Sequence, residues 1–471
     1  MPQDPRSTLI SQAISPEPWD VIVIGGGATG LSTAWDAASR GYRTALIESH
    51  DFSSATSSRS TKLVHGGVRY LQQGELSLVR EALQERSLLL RNASEFCRPM
   101  RFAMPCHAPL ARYYYRIGMW LYDALAGDQG IEPSELLSPK ALMEHLPSYH
   151  RPGLQGGIAY TDGQFDDAEL AIAFAQCINH SGSLAINYVK ADKLIIKGGQ
   201  VRGVIARDME SLEAWEMKAK VVINATGIFA DQLRKENKTS IHWRMRTSRG
   251  SHIVCPGNAL GSDKALIIPK TQDGRVLFAI PWKDHTLIGT TDVPTEEPVQ
   301  DPHPSQQEID FIVEEAQRAF EFDHSSITSS WAGLRPLVSR AEVKKTSKLS
   351  RKHIIDVAPN GLISILGGKW TTCRRMAQDT IDEAIRLHQL SPKACRTHHI
   401  ILTEHGAAPP LSALDEMPDE NQMTSLVQTA IQHSYARTPE DILARRLRLS
   451  FLDQKKAESW IPLVQTLIRR S

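Results

Sequence analysis

At 471 residues the chain exceeds what one hydrophobic core serves, so two or three domains are expected. Lys plus Arg (54) nearly balance Asp plus Glu (53), leaving a net charge of +1, which argues against a nucleic-acid binder steered by charge. Six cysteines without CxxC or metal-ligand spacing offer no metal site and read as buried thiols of a reducing compartment.

Residues 1–18 are polar with four prolines and lack the apolar region of a signal peptide, so they read as a flexible arm. No apolar run approaches the ~20 residues that span a bilayer. The run Asp20-Val21-Ile22-Val23-Ile24 then feeds into Gly25, Gly27 and Gly30, spaced as GxGxxG, and a helix is expected from Leu31 to about Arg40. In that motif the first glycine permits the tight turn and the second lets backbone approach a pyrophosphate. The third lets helix and strand pack closely, while Ala28 and Thr29 open the helix N-terminus toward the anion. Gly41 is placed to end the helix in a left-handed conformation. The next strand, Thr44-Ala45-Leu46-Ile47, ends in Glu48, whose carboxylate suits the ribose hydroxyls of an adenosine. The signal identifies an adenine dinucleotide and does not choose between NAD and FAD.

Six of the eight residues from Ser53 to Ser60 are Ser or Thr. Placed just after a ribose-binding strand, this segment either is a solvated loop or wraps the rest of a cofactor in hydroxyls and amides. Tyr113 to Tyr122 concentrates aromatics of the kind found at lipid interfaces, and reads equally as a core helix with tyrosines at its rim. Further glycine-terminated apolar runs are Val221-Val222-Ile223-Asn224-Ala225-Thr226-Gly227 and Leu362 to Gly368. They suit strands of a parallel sheet covered on both faces. Val276–Ile280 and Thr286–Gly289 flank a charged turn and read as a hairpin of a separate antiparallel sheet. After about residue 400 a proline-bearing linker precedes Thr438-Pro439-Glu440-Asp441, an N-cap with Pro at N1. Leu443, Leu447 and Phe451 follow at helical spacing with Arg445, Arg446 and Arg448 between them.

The block from Asp51 to Leu71 resembles the signature of FAD-dependent sn-glycerol-3-phosphate dehydrogenases almost residue for residue. The same order is kept by Gly250-Ser251-His252-Ile253-Val254, Ile280-Pro281-Trp282, Ile288-Gly289-Thr290-Thr291-Asp292, Gly333-Leu334-Arg335-Pro336-Leu337 and Gly367-Gly368-Lys369-Trp370-Thr371-Thr372. The resemblance covers roughly residues 18–390. It implies an α/β fold: an FAD-binding Rossmann-like domain of the glutathione-reductase/amino-acid-oxidase type, an antiparallel-sheet substrate domain and a small C-terminal helical domain. The FAD domain is expected from 19–100, 156–240 and 345–390, the substrate domain from 101–155 and 241–344, and the helical domain, shorter than in many relatives, from 400–471.

The resemblance further implies cofactor contacts from Gly25, Gly27, Ala28, Thr29, Gly30 and Glu48, and from Thr56, Ser57, Ser58, Thr61, Lys62, Leu63, His65, Gly66 and Gly67. Ala225, Thr226, Gly227, Gly368, Lys369, Trp370 and Thr371 complete that set. Around the substrate it places Arg69 with Tyr70, Arg335, Arg351 and Lys369, cations suited to a phosphate of about −2 charge. Arg69, Arg351 and Lys369 are assigned to the phosphate and Arg335 to the C2 oxygen. His252 is the expected base, since imidazole titrates near neutral pH, with His65 the alternative. The implied activity is oxidation of glycerol 3-phosphate to dihydroxyacetone phosphate, with electrons passed to a membrane quinone by a cytoplasmic enzyme peripheral on the inner face of the cell membrane. A homodimer stays open, no nucleic acid is involved, and the alternatives are an O2-using oxidase, a relative acting on another hydroxy or amino acid, and a non-catalytic flavin scaffold. Convergent cations argue against the scaffold.

Overall fold

The computed structural model describes residues 5–68, 74–236, 242–340, 352–388, 390–411 and 418–470. Its first sheet runs, edge to edge, Ile354–Val357, Ile363–Leu366, Ala214–Asn224, Trp19–Ile24, Thr44–Ile47 and Leu184–Ile186. From Ile363–Leu366 to Leu184–Ile186 every pairing is parallel. The three glycine-terminated runs therefore lie side by side. They are apolar throughout because both faces are covered: the residues of Trp19–Ile24 divide between one core shared with helices Ala28–Ser39, Asp167–His180 and Cys373–His388 and another on the opposite face. Strands Val189–Lys197 and Gln200–Asp208 extend the sheet as an antiparallel flap on Ala214–Asn224.

The second sheet is mainly antiparallel. Its long spine is Trp243–Pro256, paired over its length with Ser329–Arg340 and, at its far end, with His285–Gly289. The hairpin Leu277–Trp282/His285–Gly289 closes as the sequence leads one to expect, its turn carrying Lys283 at φ +49°. Ala265–Ile268 joins this half to Cys97–Pro105 and Gly157–Phe165. The last of these was expected with the dinucleotide domain. It pairs instead along all of Cys97–Pro105, and every one of its residues is buried, so its mixed composition (GIAYTDGQF) hides a fully covered strand.

The N-terminal segment is not a flexible arm over its described part. Residues Pro5–Ala13 form a helix, anchored where the Arg6 guanidinium donates to the Asn187 carbonyl (2.7 Å) and pairs with Asp208 (2.5 Å). An amphipathic pattern could not reveal this, because the anchor is one buried arginine.

The tail departs further from expectation. Thr438 caps as read, its hydroxyl accepting from the Asp441 N–H (3.2 Å). A wide π-type turn, Asp441–Arg446, follows, and Arg445, Arg446 and Arg448 are all buried rather than lining a solvated face. Burial opposes ionisation of Asp51, but Arg446 and Arg445 hold its carboxyl below the usual range through contacts of 2.6 to 2.8 Å. Arg448 pairs with buried Asp167 at 3.0 Å, beside Lys62 at 2.8 Å.

The tight dinucleotide turn makes one demand that can be tested. Gly25 sits at φ +111°, and a Cβ on Gly30 would collide with the Gly25 carbonyl oxygen. Neither backbone has room to yield, so Gly30→Ala should destabilise the protein by about 2–3 kcal/mol, read as a lower urea midpoint; an unchanged midpoint would show that helix and turn are not in close contact.

Candidate active site

A single elongated cavity of about 690 Å³ lies between the two sheets, at the large end of small-molecule sites. At one end is the turn from Trp19–Ile24 into helix Ala28–Ser39. Gly25, Gly27, Ala28 and Thr29 line it, and the helix starts at Gly27 with no side-chain cap from its own N-cap residue. Its N-terminal N–H groups and positive dipole end therefore face the cavity. Glu48 lines the same end, its carboxylate accepting from the Gly26 N–H (2.5 Å) and the His50 N–H (2.9 Å). Ala225, Thr226 and Gly227 close this end from the neighbouring strand.

The hydroxyl-rich loop forms the middle of the wall. The Ser57 hydroxyl accepts from the Ala28 N–H (2.9 Å), and the Ser57 carbonyl accepts from the Trp370 indole (2.8 Å). Thr56 donates to the Leu334 carbonyl (2.7 Å), tying the loop to the second sheet. The loop is thus structural and cavity-lining at once. Thr56, Ser57, Thr61, Leu63 and His65 line the cavity, as do Gly368, Lys369, Trp370 and Thr371 opposite.

Five residues expected at the cofactor do not line it. Gly30 is spent on packing against the turn, and Gly66 gives its N–H to the Tyr122 hydroxyl (3.0 Å) and the Asp162 carboxylate (3.3 Å); Gly67 lies beside it, off the lining. The Ser58 carbonyl turns away to accept from Lys62 Nζ (2.7 Å). Lys62 is correspondingly wholly buried, where burial, with Arg448 beside it, pushes its ammonium down to about 7. It holds the loop from behind instead of meeting the ligand.

His252, Gly250, Phe278, Arg335 and Lys369 also line the cavity. Arg335 donates to Thr290 Oγ1 (3.1 Å) and the Thr291 carbonyl (2.8 Å) and approaches Asp292 at 3.3 Å; the Thr290–Asp292 turn thus orients the guanidinium. His252 stacks on Trp331, ring centroids 4.2 Å apart, with Nε2 against the Thr61 hydroxyl at 3.0 Å. Its Nδ1 is buried without a hydrogen-bond partner. Burial, then the charges of Arg335 and Lys62, hold the imidazole well below its usual range, so it is neutral at physiological pH. Arg69, Tyr70 and Arg351 lie outside the described residues. Among the described residues no group of side chains has metal-ligand geometry.

Sequence reasoning missed several lining residues. Val189, Lys190 and Ala191 reach the cavity from the antiparallel flap, Phe278 from the second sheet, and Gln300 from the loop that follows strand Val293–Thr295. Phe278 was within reach, since it lies on a recognised hairpin strand; nothing local marks the others.

The residues present fit a dinucleotide with a flavin at its second end: a helix N-terminus in the cavity wall, a turn whose glycine would lose the approach if given a Cβ, an acidic strand end and an orphaned imidazole nitrogen. Comparisons with known proteins agree. Residues 20–374 match the family model described as FAD dependent oxidoreductase. The chain is 35% identical to the mitochondrial glycerol-3-phosphate dehydrogenase of Mus musculus, over all of this chain and 72% of that one. Among solved structures, the glycerol-3-phosphate dehydrogenase of Bacillus halodurans complexed with FAD superposes with a TM-score of 0.79 at 27% identity, covering 99% of this chain and 93% of that one. The FAD-bound L-alpha-glycerophosphate oxidase of Mycoplasma pneumoniae shares the fold (TM-score 0.64, 17% identity, 82% and 98% covered). The chain thus belongs to the FAD-dependent oxidoreductases and, within them, to the FAD-dependent glycerol-3-phosphate dehydrogenases, and FAD is its cofactor.

Proposed function

We propose that the protein oxidises sn-glycerol 3-phosphate at C2 to dihydroxyacetone phosphate and passes the electrons to a quinone. The observation that carries this reading is that Arg335, Lys369 and His252 line the same cavity as the dinucleotide turn, with Arg335 close enough to His252 to depress its proton affinity. Bound FAD supplies the hydride acceptor, N5 of its flavin ring. Lys369 supplies a cation for the phosphate dianion, with Arg69 and Arg351 assigned to the same group by their motifs and Tyr70 to the substrate beside Arg69. Arg335, oriented by the Thr290–Asp292 turn, donates to the C2 oxygen.

His252 accepts the hydroxyl proton. A neutral imidazole is the form that can accept, and its depressed affinity for protons is set by burial and by Arg335 and Lys62. The substrate's own phosphate acts in the opposite direction, stabilising the imidazolium once the proton arrives. Base strength therefore rises when substrate is present.

The acceptor reading rests on helix Pro109–Ala126. Leu110, Tyr113, Tyr114, Ile117 and Trp120 form an exposed row, each more than half exposed, while Met119 and Tyr122 are buried. An apolar row of this kind suits partial insertion into lipid, where a quinone resides; oxygen needs no such surface. No helix among the described residues is long and apolar enough to cross a membrane, in keeping with a peripheral enzyme on the inner face of the cell membrane.

Three outcomes test this. Arg335→Ala should lower the rate of flavin bleaching by glycerol 3-phosphate about 10²–10³-fold while FAD stays bound; loss of the flavin would contradict a substrate role. His252 should reveal itself through stability as well as rate. A histidine whose native pKa is depressed binds its proton more readily unfolded, so stability falls as pH drops below about 6.5. Wild type should lose about 1.4 kcal/mol more than His252→Gln between pH 7.5 and 5.5, measured by urea unfolding, and flavin reduction in the variant should slow at least about 10²-fold; parallel pH dependences would remove the neutral buried imidazole. Finally, Ile117→Glu/Trp120→Glu should weaken co-sedimentation with phospholipid vesicles about tenfold or more without altering flavin bleaching. Unchanged sedimentation would assign lipid contact elsewhere.

A further inference from the structure

Two ends of one loop meet the same short stretch of the C-terminal tail. At its start, Asp51 receives bonds from Arg446 Nη1 and Nη2 (2.6 and 2.8 Å) and Arg445 Nε (2.6 Å). At its end, the Ser58 carbonyl receives Arg448 Nη2 (2.9 Å) and Lys62 Nζ (2.7 Å), and Asp167 bridges both cations while accepting the Ser60 hydroxyl (2.7 Å). Between these two fixed points lie Ser57, which meets the first N–H of the dinucleotide helix, and Thr56, which reaches the second sheet. Just beyond them Thr61 meets His252.

The tail is shaped for this. The π-type turn lets consecutive residues Arg445 and Arg446 reach one carboxylate, and such turns are uncommon outside functional settings. Arg448 then adopts a left-handed conformation, φ +63°, a costly one for a side chain that is kept where its surroundings demand it. Phe451 completes the arrangement: its ring lies under the Arg448 guanidinium at 4.6 Å and edge-on to Trp331 at 5.0 Å, and Trp331 carries His252 on its face.

We propose that Arg445, Arg446 and Arg448 form a clamp on the Asp51–Lys62 loop that retains FAD, so the C-terminal region is a positioning element for the flavin rather than a separate cap. These arginines do not line the cavity. They act through Asp51, the Ser58 carbonyl and Asp167. The inference needs only the cofactor, and it stands or falls independently of which substrate or acceptor the enzyme uses.

The test is FAD retention in the full-length holoenzyme, followed by the rise of flavin fluorescence on dilution and by titration of flavin-stripped protein with FAD. Arg448→Met should raise the FAD dissociation constant at least about tenfold and broaden the visible flavin band as the loop loosens. Arg448→Lys, which keeps the charge but not the fork, should recover part of the affinity. Val464→Ala, in the core of the C-terminal helices and away from the loop, separates clamping from general stability. It should lower the melting temperature and leave the FAD constant unchanged. Equal FAD constants in wild type and Arg448→Met, or the same loss in Val464→Ala at matched destabilisation, would overturn the proposal. If Arg448→Met does not fold, Phe451→Leu carries the test: it should weaken FAD several-fold, and full retention would count against the clamp.

Discussion

Burying a carboxylate is costly unless cations and hydrogen bonds meet it in good geometry, and this chain buries two, Asp51 and Asp167, behind the loop that walls its cofactor cavity. Much of the architecture follows from satisfying them. Asp51 is met by two guanidiniums and the Asn187 amide; Asp167 is met by Lys62, Arg448 and Ser60. The partners come from three regions of the chain, so the tail, the flap-bearing sheet and the loop converge where the charge sits. Apolar packing alone would accept many arrangements of those regions. Matching two buried carboxylates accepts few.

The same economy of charge governs the cavity. Arg335 and Lys369 line the cavity as cations, while His252, between Trp331 and Thr61, is kept neutral by burial and by the charges of Arg335 and Lys62. On the proposed reading, cations for binding and a neutral imidazole for proton transfer are compatible because a phosphate would bring the compensating negative charge. An uncharged hydroxy compound would bring nothing to stabilise the imidazolium.

How legible was this in the sequence? Local signals were sound: the turn at Gly25, the helix that follows, the acidic strand end, the hairpin around Lys283 and the cap at Thr438 each rest on backbone chemistry written within a few residues. Features set by distant partners were not legible. Arg6 fixes a helix where composition suggested an arm, because Asp208 lies 202 residues away. The strand Gly157–Phe165 does not alternate, since both of its faces are covered. The burial of Arg445, Arg446 and Arg448 was not legible, because their spacing around leucines is the same whether carboxylates or water await them. At the site, motif residues were found and non-motif residues such as Val189 and Gln300 were not; Lys62 sat in a motif yet points away, since a motif specifies a residue's identity and not which wall it serves.

The long separation between Asp51 and its arginines, 394 positions for Arg445, bears on how the protein is made. A ribosome delivers the dinucleotide turn, the hydroxyl-rich loop and both carboxylates well before these arginines. Until those arginines emerge, Asp167 has Lys62 and Ser60 and Asp51 has the Asn187 amide, but neither carboxylate has its guanidinium. The loop that walls the cofactor cavity therefore takes its full set of partners only after residues 445–448 have been made.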